Sequence, residues 1–328
     1  MRKTLPFIVL LLLCLALFLW RTESREIRSR ELFVTDVFVE LKARGTRDAT
    51  GEAFRRAVEE IRRVDARFGY KNSLITRLNE NRSMKDREGY GLISRARSVR
   101  EASAGSFSIT LRPILEAWGF TESLPYRIPA PGEFHSWRQA PQDEGIVLKA
   151  DGVTVEIPEG TGVDIGGLIE GYAGDRAREA MLSAGCDTGL ITVGGEVVAF
   201  GDRTWKIGIK NPRGEGVLGV IPLKNRAIAT SGDYERFFVE GGRRYCHILD
   251  PATGWPAQGL MSASVIADNC TLANAWAVAL FVAGPDRLAH VLEKGGMDWV
   301  VVDRAGNISA SPAMRGYFPA AGTAHGTQ

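Results

Sequence analysis

Residues 229–254, "ATSGDYERFFVEGGRRYCHILDPATG", gather Thr230, Ser231, Asp233, Glu235, Arg236, His247 and Asp250 within one turn–strand–turn stretch. Hydroxyls, carboxylates and an imidazole at that density suit a site carried on a hairpin, where strands hold the loops that meet a ligand. His247 is one of 4 histidines. Asp250 follows it three residues on, at the head of an Asp-Pro turn, which makes a functional reading of the histidine as fair as a structural one. A histidine on a strand also serves structure alone, and both readings stand at this point. Ser231 is not on a nucleophile elbow, because position 229 is Ala where that turn requires Gly.

Two further segments carry chemistry-bearing residues. In "GVDIGGLIEGYAGD", residues 162–175, Gly166-Gly167 fall where a strand-like end meets a helical pattern. The free N–H groups of a helix start there can face an anion. No Gly-Lys-Ser/Thr follows, and the Gly-x-Gly-x-x-Gly order of a dinucleotide turn is absent. A tight turn with no ligand is the plainer reading. In "CTLANAWAVALFVAG", residues 270–284, Asn274 is the single polar residue inside an apolar helix, so its amide needs a partner. Backbone partners would satisfy it without any function.

The elements that must hold these groups follow from periodicity. Phe54, Ala57, Val58, Ile61, Val64 and Phe68 recur at three- and four-residue steps and predict a helix over Thr46–Phe68. "ELFVTDVFVELKA" alternates as a strand, "NSLITRLNEN" reads as a short turn, and Leu92–Ala104 as a second helix. Residues 120–150, rich in Pro and polar side chains, read as an excursion over the surface. From Gly152 onward short β-like runs dominate, interrupted by helices over Leu168–Leu182, stopped at Gly185, and Thr271–Val282. Strands and helices mix without βαβ alternation, which predicts an α+β fold.

The 41 Lys+Arg against 39 Asp+Glu leave a charge of +2, too little surplus for a nucleic-acid binder held by phosphates. With 45% apolar and 24% charged residues the chain can bury a core, which excludes disorder. Arg2-Lys3 precede an apolar run from Leu5 to Trp20, the order of an export signal. Its helical reach of about 24 Å falls short of the ~30 Å hydrocarbon layer. No small-residue cleavage site follows it, and Leu13 before Cys14 is too bulky for lipoprotein processing. Residues 1–22 therefore read as a signal-anchor or signal peptide, 23–318 as one domain, and 319–328 as a disordered tail. Cys186, Cys246 and Cys270 match no C-x-x-C pair, so a disulfide among them is open but unspecified.

The segments together resemble the ApbE family of FAD:protein FMN transferases, exported enzymes of the bacterial envelope. The resemblance is carried by "SLITRLN" (Ser73–Asn79), "GSFSITLRPILEAWGF" (Gly105–Phe120), "DIGGLIEGYAGD" (Asp164–Asp175) and "TVGGEV" (Thr192–Val197). It continues through "TSGDYER" (Thr230–Arg236), "YCHILDPATG" (Tyr245–Gly254) and "ANAWAVALF" (Ala273–Phe281), in order over nearly all of the mature chain.

The resemblance implies a T-fold-related α+β architecture with mixed sheets and a flavin cleft between sub-lobes. It implies FAD as substrate, Mg²⁺ as cofactor, and transfer of FMN to a Thr hydroxyl of an acceptor protein with release of AMP. Catalysis of that kind is mostly positioning and charge neutralisation. His247 and Asp250 would be catalytic. Asn79, Trp118, Glu196, Thr230, Ser231, Asp233 and His247 would bind the flavin nucleotide, and Gly166 would lie by its backbone at the metal or phosphates. The family's two metal ligands on the late helix, Asp and Thr, are here Asn274, a weak donor, and Val278, which offers none. A carboxylate about 4 Å from a cation is worth roughly 4 kcal/mol at an effective dielectric near 20. The family's Lys beside this site is Glu170, its Asp-Pro is Ser108-Ile109, and its Asp is Glu196. Asp268 or Glu170 are the substitute ligands on offer. The alternative these departures imply is a flavin-binding member that transfers nothing. The implied partners are FAD and an acceptor flavoprotein of a membrane electron-transfer system. The implied place is the inner membrane, facing the periplasm or exterior.

Overall fold

Alternating apolar residues build one eight-stranded sheet, antiparallel at every pairing. Its order is Ile27–Val34, Val37–Arg44, Gly189–Val193, Glu196–Phe200, Ala227–Gly232, Leu260–Ala267, Asp298–Asp303 and Ile308–Ala310. The computed structural model describes residues 9–15, 26–34, 37–121, 124–140 and 142–318. Because successive side chains on a strand point to opposite faces, Leu41, Ile191, Val198, Ala229 and Val265 meet the helices. Leu190, Ala199, Ile228, Ile266 and Val300 meet a second core under the Trp205–Lys210 and Val217–Leu223 hairpin. Leu260–Ala267 is buried along its whole length, as its continuous small and apolar run requires.

Three helices cover the first face. The Arg47–Phe68 helix starts at the Thr46 cap, whose hydroxyl accepts from the Ala49 N–H, and buries Phe54, Ile61, Val64 and Phe68. Each such side chain contributes about 1.5–3 kcal/mol when removed from water. The Gly166–Ser183 and Cys270–Ala283 helices touch backbone to backbone. A Cβ on Gly171 would lie 2.3 Å from the Cys270 carbonyl oxygen and 2.9 Å from Asn274 Cβ. Asp175 locks this contact by accepting from the N–H groups of Cys270 and Thr271 at 2.8 and 2.9 Å. The helix pair is thus held close enough for Asn274 to face the Gly166 helix.

A third cluster is aromatic. Trp118, Phe120, Phe134, Tyr245 and Trp255 pack around the Phe237–Glu240 and Arg243–Cys246 hairpin.

Several expectations change. "ELFVTDVFVELKA" is not one strand: Val34 pairs with Val37 and Phe33 with Phe38, so the segment folds back on itself as a hairpin. "NSLITRLNEN" is a helix over Leu74–Asn81, because the Ser73 hydroxyl caps it by accepting from the Thr76 N–H. The 120–150 excursion carries a helix, Pro131–Gln139, whose Phe134 and Trp137 reach the aromatic cluster. Cys186, Cys246 and Cys270 are buried free thiols.

Val9–Leu15 are helical and exposed; the rest of the 1–22 segment, apart from these, lies outside the described residues, as does the 319–328 tail. Among the described residues no helix is long and apolar enough to cross a membrane.

Candidate functional site

The head of the Gly166 helix forms one corner of a cleft. Its first N–H, at Gly166, donates to Asp164 Oδ1 at 2.8 Å. Burial pushes the Asp164 carboxyl up from its usual range, against that hydrogen bond and the charges of Arg236 and Arg112. Tyr70, just past the C-terminal end of the long helix, stands against the same carboxylate. The negative charge of Asp164, then burial, push its phenol up to about 12. A cavity of about 200 Å³ opens here, lined among others by Phe68, Tyr70, Arg112, Asp164, Gly166 and Glu170. That is below the ~300–1,000 Å³ typical of ligand pockets.

The hairpin reaches this corner through Arg236. Its guanidinium sits 5.9 Å from the Tyr70 ring centre and donates to the Phe120 carbonyl at 3.2 Å. The Arg236 carbonyl in turn accepts from the His247 backbone N–H at 3.0 Å and faces His247 Nδ1 at 3.2 Å. A carbonyl only accepts, so that contact assigns the ring proton to Nδ1 and leaves Nε2 as the acceptor. Burial, and the Arg236 charge beside it, push the imidazole down to about 3. His247 is therefore neutral at physiological pH.

The other residues singled out from the sequence fall into two groups. Asn79 clamps the Asp164 loop: its amide donates to the Val163 carbonyl at 2.8 Å and accepts from the Val163 N–H at 2.7 Å. Trp118 is fully buried and donates to the Gly254 carbonyl at 2.8 Å, which fixes the turn after His247. Asp250 shapes that turn, accepting from the Ala252 N–H at 2.8 Å. Asp233 is buried in a two-pronged pair with Arg213, and the Thr230 hydroxyl meets Ser264 at 2.8 Å. Ser231, on the same strand, is buried. These groups position the cleft.

Glu196, Asn274 and Glu170 form the second group, on the opposite wall. Asn274 donates through Nδ2 to Glu196 Oε1 at 3.0 Å, while Asn274 Oδ1 and Glu196 Oε2 are buried with no hydrogen-bond partner. Both residues are more than nine-tenths buried. Glu170 lies within hydrogen-bonding reach of Glu196, and burial, followed by the Glu170 charge, pushes the Glu196 carboxyl well above its usual range. Val278 faces the Gly166 helix as an apolar surface, its Cγ2 3.3 Å from where a Cβ on Gly167 would stand. Asp268 points into solvent, its side chain 94% exposed, so of the two substitute ligands only Glu170 reaches the cleft. Among the described residues no three His, Cys, Asp or Glu side chains gather as a metal site. The donors present are two carboxylates and an amide, hard oxygens that fit a divalent cation such as Mg²⁺.

Ser108 and Thr110 both donate to the buried Asp143, and the Ile109 N–H joins them at 3.1 Å. A carboxylate from a distant turn thus serves the loop that carries no acid of its own. Sequence reasoning missed Tyr70 and Asp143; nothing local distinguishes either, since each gains its role from residues far along the chain. Arg236 was visible only as one polar residue among several.

The model described as the ApbE family matches residues 35–301. The chain is 33% identical over 242 residues to a protein of Rhodobacter capsulatus named FAD:protein FMN transferase, covering 70% of this chain and 46% of that one. It thus spans about half the length of that relative. A Haemophilus influenzae protein of the same name is 26% identical over 94% of this chain and 95% of its own. One from Treponema pallidum is 30% identical over 70% and 69%. The crystal structure of the ApbE protein from Thermotoga maritima superposes with a TM-score of 0.82 at 32% identity, covering 90% of this chain and all of that one. The Pseudomonas stutzeri flavinyl transferase ApbE, at 23% identity and a TM-score of 0.77 over 89% and 97%, shares the fold.

Proposed function

The chain belongs to the ApbE family, and we propose that it acts as its curated relatives are named, as an FAD:protein FMN transferase. An acceptor Thr hydroxyl attacks the FMN phosphorus of FAD, the pyrophosphate P–O bond breaks, AMP leaves, and the hydroxyl proton is lost. The observation that carries this reading is the junction of Arg236 with Tyr70 and Asp164, which brings the His247 hairpin onto the head of the Gly166 helix.

One end of FAD enters the cavity beside Tyr70, and the diphosphate lies against Arg236 and the Gly166 turn. The Arg236 cation stabilises the charge that builds on phosphate oxygens, while Asp164 holds the Gly166 N–H and so fixes the turn. His247 Nε2 takes the Thr proton, with Nδ1 held by the Arg236 carbonyl. In the chain alone burial, and after it the Arg236 charge, weakens this base. A diphosphate brought against Arg236 offsets that charge and raises the basicity of the ring when substrate is in place. A divalent cation, held by oxygen donors of the facing Gly166 and Cys270 helices, would supply further charge neutralisation at the diphosphate.

The Arg2-Lys3 start and the apolar run to Trp20 support export with the N-terminus as a membrane tether. The acceptor is then an electron-transfer flavoprotein on the outer side of the inner membrane.

The test is incubation with FAD, Mg²⁺ and a Thr-bearing acceptor domain. The expected outcome is an acceptor heavier by one FMN, with AMP in equal amount. His247→Ala should slow transfer by about 100-fold or more. AMP and free FMN without an adduct would mean hydrolysis instead. FAD binding with no product would mean a member that transfers nothing.

A further inference from the structure

We propose that Glu170, Glu196 and Asn274 form a divalent-cation site of this chain's own making, in which the carboxylate absent from the late helix is supplied from the Gly166 helix across the contact. The inference rests on the transferase reading for its purpose but not for its geometry.

Two buried oxygens accept no hydrogen bond, Asn274 Oδ1 and Glu196 Oε2; they belong to side chains already joined by the Asn274–Glu196 hydrogen bond, and what stands nearest the second is another carboxyl, that of Glu170. A buried polar atom without a partner is unfavourable unless a ligand completes it. Both carboxylates overhang a single residue: a Cβ on Gly194 would meet Glu170 Oε2 at 2.9 Å and Glu196 Oε2 at 3.6 Å. Gly194 holds a φ of +61° at the turn between Gly189–Val193 and Glu196–Phe200, so the turn favours glycine in conformation as well as in space. Among the described residues neither glutamate joins an ion pair of the kind that Asp233 makes with Arg213; Arg236 interacts with Glu170 through its charge alone. Two carboxyls side by side in a buried place repel as anions, so Glu196 is held protonated beside Glu170 in the chain alone, and a cation that displaces that proton would relieve the pair.

The helix contact explains why Glu170 can do this. Gly171, the next residue, is pressed against Cys270 and Asn274 Cβ, and the Glu170 carboxyl lies within hydrogen-bonding reach of Glu196, which Asn274 itself contacts. A long side chain on one helix can then substitute for a short acid on the other. Val278 adds no donor, so the site relies on two carboxylates, one amide oxygen and solvent, a set a hard cation tolerates while keeping several waters.

The test reads cation binding directly, with Mn²⁺ alone followed by electron paramagnetic resonance and by calorimetry, on the full chain in detergent. Wild type should bind one Mn²⁺, in competition with Mg²⁺. Glu170→Gln and Glu196→Gln should each weaken binding about tenfold or more, and Asn274→Asp should tighten it. Glu170→Lys should abolish binding, and Asn274→Asp in the same chain should restore it. That rescue separates loss of a ligand from loss of the fold. Wild type that binds no Mn²⁺, or Gln variants that bind it unchanged, would overturn the site. Flavin transfer measured in parallel keeps the two ideas apart. Transfer with Mn²⁺ binding indifferent to Glu170 and Glu196 sinks the site and leaves the transferase. Carboxylate-dependent Mn²⁺ binding without an FMN adduct does the reverse.

Discussion

The two walls of the cleft treat their polar groups in opposite ways. On the hairpin wall Asp233 is paired with Arg213, Asp250 caps its own turn, and His247 rests on the Arg236 carbonyl. On the helix wall Asn274 Oδ1 and Glu196 Oε2 are buried and idle. A wall whose hydrogen bonds are complete is already rigid and presents its groups; a wall with spare buried acceptors is stable only with something added. The contrast separates the residues that aim the chemistry from those that receive a charge.

The largest test of this contrast is on the helix wall. If its shape comes from backbone contact, then Gly171→Val should lower stability by about 4 kcal/mol or more, since no side chain fits at 2.3 Å from the Cys270 carbonyl oxygen. Urea unfolding of the protein measures it. A loss below about 1 kcal/mol would mean that the helices separate easily and that the Asn274–Glu170 juxtaposition is not enforced.

Next in size is the hairpin wall. Arg213→Ala leaves Asp233, with only 3% of its side chain exposed, as a buried charge without its partner. The expected destabilisation is about 3 kcal/mol, most of it the penalty on the stranded carboxylate rather than the value of the pair. Adding Asp233→Asn should therefore recover much of the loss. Equal instability of the single and double variants would show that Arg213 acts by packing alone.

What could be read in advance divides along the same line. The long helix, the Gly166 and Cys270 helices to within a residue or two at their starts, and the polar hairpin were all legible, because periodicity and turn residues act within a few positions. So was the need of Asn274 for a partner, though not that the partner is Glu196, 78 residues away. Glu170 read as a charge reversal and Asp268 as an equal substitute; only the packing of two helices decides between them. The fold of "ELFVTDVFVELKA" into a hairpin was missed because no Gly, Pro or Asn punctuates the run between its two apolar stretches. Tyr70 had no local signal at all. Its importance comes from Asp164 and Arg236, which lie on different elements.

The smallest effect expected is a pH dependence, and it tests whether the hairpin wall is set before substrate arrives. In the unfolded chain His247 takes a proton near its ordinary value of 6.5, whereas in the fold it is held neutral down to about 3. A group whose folded value is depressed contributes stability above its unfolded value, and that contribution drains away as the pH falls from 6.5 towards 3. The ring is partly exposed, so solvent screening trims the effect to about 1–2 kcal/mol by pH 4. His247→Gln, which keeps a side-chain donor for the Arg236 carbonyl but cannot titrate, should lose less stability than wild type between pH 7 and pH 4. Urea midpoints for both proteins at the two pH values decide it. Identical acid losses would mean that the imidazole protonates freely in the fold, and then Arg236 does not govern its basicity. The rise in basicity proposed on diphosphate binding would lose its cause, leaving the ring placed by the hairpin but not tuned by it.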